Sequence, residues 1–292
     1  NNWLGQGKNV GFNIEVNEES LTGTLNYRDP NYDFLGNSIN YSISSTTNDV
    51  PDMGYENSII SAGIGTSFEQ YKDITASLGV SASYDDLRTD SNASSSLKKQ
   101  SGNFSEISGN YGFTYDRRNR AFMPTSGSIV SFSQTLPVIA DSSYLSNTFL
   151  ASKYHTLGEN VVGAAKLYLS AINGIGEDDV RISKRKSLSS RRLRGFEKNK
   201  VGPVDGSDFI GGNYTAAVNF EANLPTLLPE DTNTDINVFL DFGNVWGVDY
   251  DSSIDDSNKI RSSTGIIANY NSPIGPMSFV FSQNISKAST DE

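Results

Sequence analysis

The sequence predicts an all-β protein, an antiparallel up-and-down transmembrane β-barrel with about thirteen strands in the chain. Three observations predict it. Thirteen segments of the 292 residues carry strand character, and none shows a convincing 3.6-residue apolar period. The average is polar, with 36% hydrophobic residues and a mean hydropathy of −0.41, yet aromatics reach 11%, a mixture that suits strands apolar on one face only. The connections also alternate in character along the chain, as they do in an up-and-down barrel.

In order, the segments lie near 9–17, 20–27, 37–46, 56–66, 72–84, 104–116, 127–137, 143–154, 159–173, 209–224, 235–247, 259–271 and 275–285. Many exceed the five or six residues usual in soluble sheets and match a tilted membrane crossing. Alternation is clearest late in the chain. In 235–247, Ile236, Val238, Leu240, Phe242 and Trp246 share one face, and Asn237, Asp241 and Gly243 the other. In 209–224, Tyr214, Ala216, Val218, Phe220, Ala222 and Leu224 oppose Thr215, Asn219, Glu221 and Asn223. In 159–173, Val161, Ala165, Leu167, Leu169 and Ala171 oppose Lys166, Tyr168 and Ser170. A soluble sandwich would bury the apolar faces, whereas a membrane barrel would turn them to lipid and the polar faces to a lumen. The pattern is compatible with both.

The connections favour the barrel. One alternate set includes the longest and most charged loops, such as 174–208 and the Ser-rich run from Ser91 to Ser101, which reads as mobile. The other set is compact and holds Pro30, Pro124, Pro225, Pro229, Pro273 and Pro276. Trp3, Trp246 and the tyrosines fit interfacial girdles.

Other functions find little support. No run of 18 apolar residues exists, so no transmembrane helix is expected. With no cysteine, disulfides and thiolate metal sites are excluded, and a net charge of −11 argues against nucleic acid as a partner. His155, the single histidine, falls near an expected turn and reads as neither catalytic nor metal-binding. The run Asp249, Asp251, Asp255, Asp256 lacks the Gly and Glu of a calcium loop and reads as a solvated external loop. Gly174-Ile175-Gly176 precedes no helix, so a phosphate loop is rejected. No catalytic residue, metal or cofactor is expected.

One stretch stands out against the acidic background. Nine of the 23 Lys and Arg residues fall between Arg181 and Lys200, in RISKRKSLSSRRLRGFEKNK. Charge runs are usually solvated, and that reading is taken for Arg181, Lys184, Arg185, Lys186 and Arg191, which would face water or lipopolysaccharide.

The end of this stretch brings a resemblance. Arg194-Gly195-Phe196 followed by Val201-Gly202-Pro203 resembles the sixth-loop motif of the bacterial surface antigen family, the BamA-type outer-membrane assembly factors. Gly211-Gly212 with Glu221 and Pro225, then FLDFGNVW at 239–246, IRSSTG at 260–265 and SPIGP at 272–276 resemble the strands that follow. Earlier, NWLGQG at 2–7, DPNY at 29–32 and FMPTSG at 122–127 also match. The resemblance spans nearly the whole chain.

It implies a sixteen-stranded barrel of which residues 1–292 would be an incomplete part. The first two strands, the last strand and the periplasmic POTRA repeats would be missing, and the barrel would stand open at its seam. It implies that the loop at 174–208 folds into the lumen, with Arg194 pairing Glu221 and Asp241 on the inner wall. Both acids lie on polar faces of their strands, so the periodicity agrees. Gly202, Pro203, Gly211, Gly212 and Gly243 would support the motif, with Phe196 a wedge beside the pair. The implied function is non-enzymatic assembly and insertion of β-barrel proteins in the bacterial outer membrane; a two-partner-type secretion pore and a passive porin are the alternatives. The implied partners are outer-membrane lipid and lipopolysaccharide, unfolded outer-membrane clients, and periplasmic lipoproteins acting through the POTRA repeats.

Overall fold

A computed structural model of the chain describes residues 7–224, 234–254, 259–272 and 275–291. Thirteen antiparallel strands form one sheet: β1 (Asn9–Val16), β2 (Ser20–Asp29), β3 (Ser38–Val50), β4 (Tyr55–Tyr71), β5 (Ile74–Thr89), β6 (Gly102–Asp116), β7 (Gly127–Ala140), β8 (Tyr144–Gly158), β9 (Val161–Gly174), β12 (Tyr214–Asn223), β13 (Thr234–Trp246), β14 (Arg261–Ser272) and β15 (Gly275–Ser286). The remaining two, β10 (Val204–Asp205) and β11 (Asp208–Phe209), pair as a small hairpin inside the long loop. The sheet follows chain order, with β1 and β15 at its edges and no pairing between them among the described residues.

Period-2 alternation decides what each strand shows to each side. Phe12, Ile43, Ile60, Leu78, Phe113, Phe220 and Phe281 are all more than two-fifths exposed, and they stand on the outer face. So continuous an apolar exterior exceeds what a water-soluble surface tolerates and fits contact with lipid. The opposite face carries hydroxyls and amides paired across strands: Ser44 with Ser61 at 2.8 Å, Asn48 with Asn57 at 2.8 Å, Asn57 with Asp85 at 2.8 Å. The ambiguity between sandwich and barrel is thereby resolved: the polar face is inside.

The long β9–β12 connection fills that interior. Ser183 reaches Asp85 on β5, Lys184 reaches Glu106 on β6, Lys198 pairs with Glu19 beside β1, and Gly195 abuts β15. Contacts to strands so far apart in the order require the sheet to curl around the loop as an open barrel.

At one end the loops share a core. Met53 from the β3–β4 turn, Ala93 and Leu97 from the β5–β6 loop, and Ile182 and Ile210 from the long loop are buried together, with Val248, Tyr250 and Ile254 packed against them. Leu97 is fully buried on a short helix, Ser95–Lys98, whose Ser94 side chain caps it at 3.1 Å. The Ser-rich run is therefore an ordered part of this dome. Sequence gave polar composition there, but one buried leucine and one cap suffice to anchor it. His155 lies within β8 and not in a turn. Trp246 stacks on Tyr214 at 5.8 Å, a pair consistent with a girdle, whereas Trp3 lies outside the described residues.

Candidate functional site: the loop seated in the lumen

β12 and β13 pair in a register that places Asn219 opposite Asp241 and Glu221 opposite Phe239. Alternation turns all four inward. Arg194 arrives over them from the long loop. Its Nε donates to Asp241 Oδ2 at 2.6 Å and its Nη2 to Asp241 Oδ1 at 2.5 Å, a two-pronged grip on one carboxylate. Its Nη1 donates to Glu221 Oε1 at 2.7 Å, and its backbone N–H to Asp241 Oδ2 at 3.1 Å. The guanidinium also lies 3.9 Å from the Phe239 ring centroid, a cation–π contact from below.

The cluster is charge-balanced and closed. Lys166 on β9 donates to Glu221 at 2.5 Å, so two cations face two carboxylates. Asn219 donates to Asp241 at 2.7 Å and holds the Arg192 carbonyl at 2.8 Å. Asp241 is fully buried and Arg194 is 6% exposed. Burial opposes the Arg194 charge, but the bonds to Asp241 and Glu221 outweigh it and hold its pKa above the ordinary value.

An apolar cluster seats the loop beside the ion pair. Phe196, Leu188, Leu193 and Val201 pack on Ala217 and Val245, with Tyr168 alongside. Of the expected supporting residues, Gly243 and Gly202 border this cluster, and Gly211, Gly212 and Pro203 pack elsewhere along the long loop. A Cβ on Gly243 would stand 2.9 Å from Leu188, one on Gly202 2.9 Å from Val245, one on Gly211 2.6 Å from the Lys186 carbonyl and one on Gly212 2.3 Å from the Trp246 carbonyl. The Pro203 carbonyl accepts from the Ile210 N–H at 3.1 Å, closing the turn after the motif. Gly195 has φ +88°, and an added Cβ would lie 2.6 Å from Asn284 and 2.9 Å from Ser282 on β15. The motif therefore touches both the β12–β13 wall and the edge strand.

The solvated reading fails for four of the five cations before the motif. Arg181 is 5% exposed, flat against Phe104 at 3.5 Å from its centroid. Arg185 is 7% exposed, paired with Asp249 and bonded to the Val180 carbonyl at 3.1 Å. Lys184 pairs with Glu106 at 2.7 Å, and Lys186 donates to Ser146 at 3.0 Å. Burial, and secondarily Lys184, pushes the Lys186 pKa down. Arg191 alone of the five is exposed. The correction reaches Asp249 too, which accepts from the Val180 N–H and Asn213 and is no free loop acid. Asp255 and Asp256 lie outside the described residues, as do Pro225, Pro229 and Pro273.

Sequence reasoning missed a second buried ion pair. Arg261, at the head of β14, is 0% exposed and grips Asp291 with two bonds of 2.8 Å. It also donates to Asn244 on β13 at 2.5 Å, and Asp291 accepts from the Ala288 N–H at 2.5 Å. The pair ties the segment after β15 to the two preceding strands. An arginine directly before Ser262-Ser263-Thr264, at the first position of the strand, was the visible signal, but its partner lies 30 positions on.

Comparison with known proteins agrees with this geometry. The Omp85 superfamily domain matches residues 2–292. The outer membrane protein assembly factor BamA of Neorickettsia risticii is 26% identical over 227 residues, 76% of this chain and 30% of that protein. A SAM50-like protein of Schizosaccharomyces pombe is 31% identical over 147 residues, 47% of this chain and 30% of that protein. The chain thus spans about three-tenths of the length of these relatives. Among solved structures, BamA from Haemophilus ducreyi lacking POTRA domains 1–3 superposes with a TM-score of 0.89 at 25% identity, covering 100% of this chain and 63% of that one. CdiB from Acinetobacter baumannii gives 0.61 at 11% identity, over 98% of this chain and 51% of that one, a likeness of fold alone. An inward-seated loop, its arginine on two wall carboxylates, and a match over nearly every residue lead to one conclusion: the chain belongs to the Omp85 superfamily and is an outer-membrane β-barrel protein of the BamA type.

Proposed function

We propose that the chain is the barrel part of a machine that assembles and inserts β-barrel proteins into the outer membrane. The observation that carries this reading is the seated loop, with Arg194 bridging Asp241 and Glu221 inside a BamA-like barrel. No covalent chemistry is needed for the task. An unfolded client must pair its backbone before it meets lipid, and an edge strand offers a row of free N–H and C=O groups for that pairing. The loop would stiffen the β9–β12–β13 wall, so that deformation concentrates elsewhere in the barrel. Its presence in the lumen argues against a passive porin, which needs an open path.

Charge reversal tests the reading. In cells dependent on the full-length protein, Arg194→Glu is expected to impair growth and reduce the amount of folded outer-membrane barrels, and adding Asp241→Arg to restore part of both. Normal barrel assembly in the single variant refutes it. A secretion pore of the two-partner type is the second reading, favoured by the CdiB likeness in fold. It predicts loss of one exported client with other barrels unaffected.

A further inference from the structure

Glu221 serves two cations of different origin. Its Oε2 accepts from Lys166 Nζ at 2.5 Å and its Oε1 from Arg194 Nη1 at 2.7 Å. Lys166 belongs to β9 and stays with the wall, in register with Asn219 of β12. Arg194 belongs to the loop and departs whenever the loop does. Asp241 is held differently. It takes two side-chain bonds from Arg194 and one from Asn219, and Arg194 is its only cation among the described residues.

The seated loop therefore brings a positive charge to a carboxylate that already has one. Two cations on the two oxygens of one carboxylate stand within about 7 Å of each other. Their repulsion acts only while the loop is seated.

The surroundings make this repulsion count. A cavity of about 580 Å³ opens beside the loop tip, lined among others by Lys166, Arg191, Arg194 and Glu221. Of these charges the loop supplies two cations, and the wall supplies one cation and one acid. A third loop cation, Arg192, lies 3.4 Å from the Tyr168 ring centroid and is turned to that ring. Lys166 thus faces a loop tip of its own sign. Its side chain is 37% exposed and that of Glu221 20%, so with the loop gone the two remain a partly hydrated pair of matched charge.

We propose that Lys166 is a positioning residue that makes loop seating reversible. It occupies Glu221 in both states. In the seated state it repels Arg194, and in the released state it spares the wall an unmatched carboxylate. Both effects favour release, so removing this ion pair tightens the seat, where removing one partner of a pair ordinarily loosens a structure. Asp241 and the apolar cluster hold the loop, and Lys166 sets how readily that hold is broken. The inference is read by exposure of the loop and the proposed function by client assembly, so either can fail without the other.

The test uses the full-length protein with a reporter thiol, Val201→Cys, in the loop's apolar cluster, reacted with a polar maleimide under conditions where reclosing outpaces labelling. Lys166→Met should slow labelling about tenfold, the size left to a unit-charge repulsion at this range by the high effective dielectric of a wet wall. Lys166→Gln keeps a hydrogen-bond donor but no charge and should slow labelling likewise; it carries the test alone where Lys166→Met does not fold. Lys166→Arg keeps the charge and should label at the parent rate. With Arg194→Ala present, the effect of Lys166→Met should vanish. Unchanged or faster labelling in a folded neutral variant overturns the proposal and makes Lys166 a support of the seated loop. Equal slowing in the Arg194→Ala background, or slowing in Lys166→Arg as large as in Lys166→Met, overturns it as well, because the effect would then not run through charge on Arg194.

Discussion

Replacing Arg194 by alanine should release the loop from the lumen. The variant removes three side-chain bonds of 2.5 to 2.7 Å and the cation over Phe239. The two carboxylates lose unequally. Glu221 keeps Lys166 at 2.5 Å, so its charge remains matched. Asp241 keeps Asn219 and is fully buried, so it is the stranded group. Stranding one buried charge costs about 3–5 kcal/mol, and the low end applies because Glu221 remains paired. About 3 kcal/mol corresponds to a change of roughly a hundredfold in the seated-to-released equilibrium. The chain has no cysteine, so a single reporter thiol is readily placed. Val201→Cys puts it in the loop's apolar cluster, where the native residue is 3% exposed. With reclosing faster than labelling, the rate of reaction with a polar maleimide reports the open fraction. Arg194→Ala should raise that rate by about a hundredfold, Arg194→Lys less because a single ammonium cannot span both oxygens, and Asp241→Asn added to Arg194→Ala should recover part of the protection. A rise below threefold in Arg194→Ala would show that the apolar cluster alone seats the loop, and the electrostatic argument would be wrong.

Asp208 and Arg261 give two further expectations. Burial, with Asp90 and Asp205 nearby, raises the Asp208 pKa, and its Oδ2 is buried with no bond partner. The folded state therefore holds this proton more tightly than the unfolded, and the dome loses stability as pH rises from the ordinary carboxylate pKa of about 3.9 through the raised value. Asp208→Asn should raise the thermal midpoint at neutral pH, with the advantage vanishing in acid; an identical pH profile would contradict this. Arg261→Ala strands the buried Asp291 carboxylate, at a cost of about 3–5 kcal/mol. Hydrogen exchange should accelerate at 288–291, at the end of β13 around Asn244 and at the head of β14 but not at Arg194, and Arg261→Ala with Asp291→Ala should be less damaging than the sum of the singles.

Strand positions and facing were legible because lipid and lumen impose period 2 on every crossing. Asp241 and Glu221 could be assigned to the inner wall from their neighbours alone. Arg194 needed the motif match, since nothing in RRLRGF distinguishes it from Arg191 or Arg192. Arg181, Arg185 and Lys186 were misread because a basic run is usually solvated, and their partners Phe104, Asp249 and Ser146 lie 40 or more positions away. Leu97 hid in serines for the same reason: the dome is assembled from four separate loops, so no local window contains its core. Arg261 and Asp291 were invisible as a pair because a turn beyond β15 brings them together.

Gly195 lies against Ser282 and Asn284 while its neighbour Arg194 is fastened to β12 and β13. The loop tip is thus a gauge block set between the β12–β13 wall and β15. With no side chain to compress, it specifies a separation and not merely an attraction. By linkage, whatever draws β15 away must loosen the tip, and whatever lifts the tip must free β15 to move.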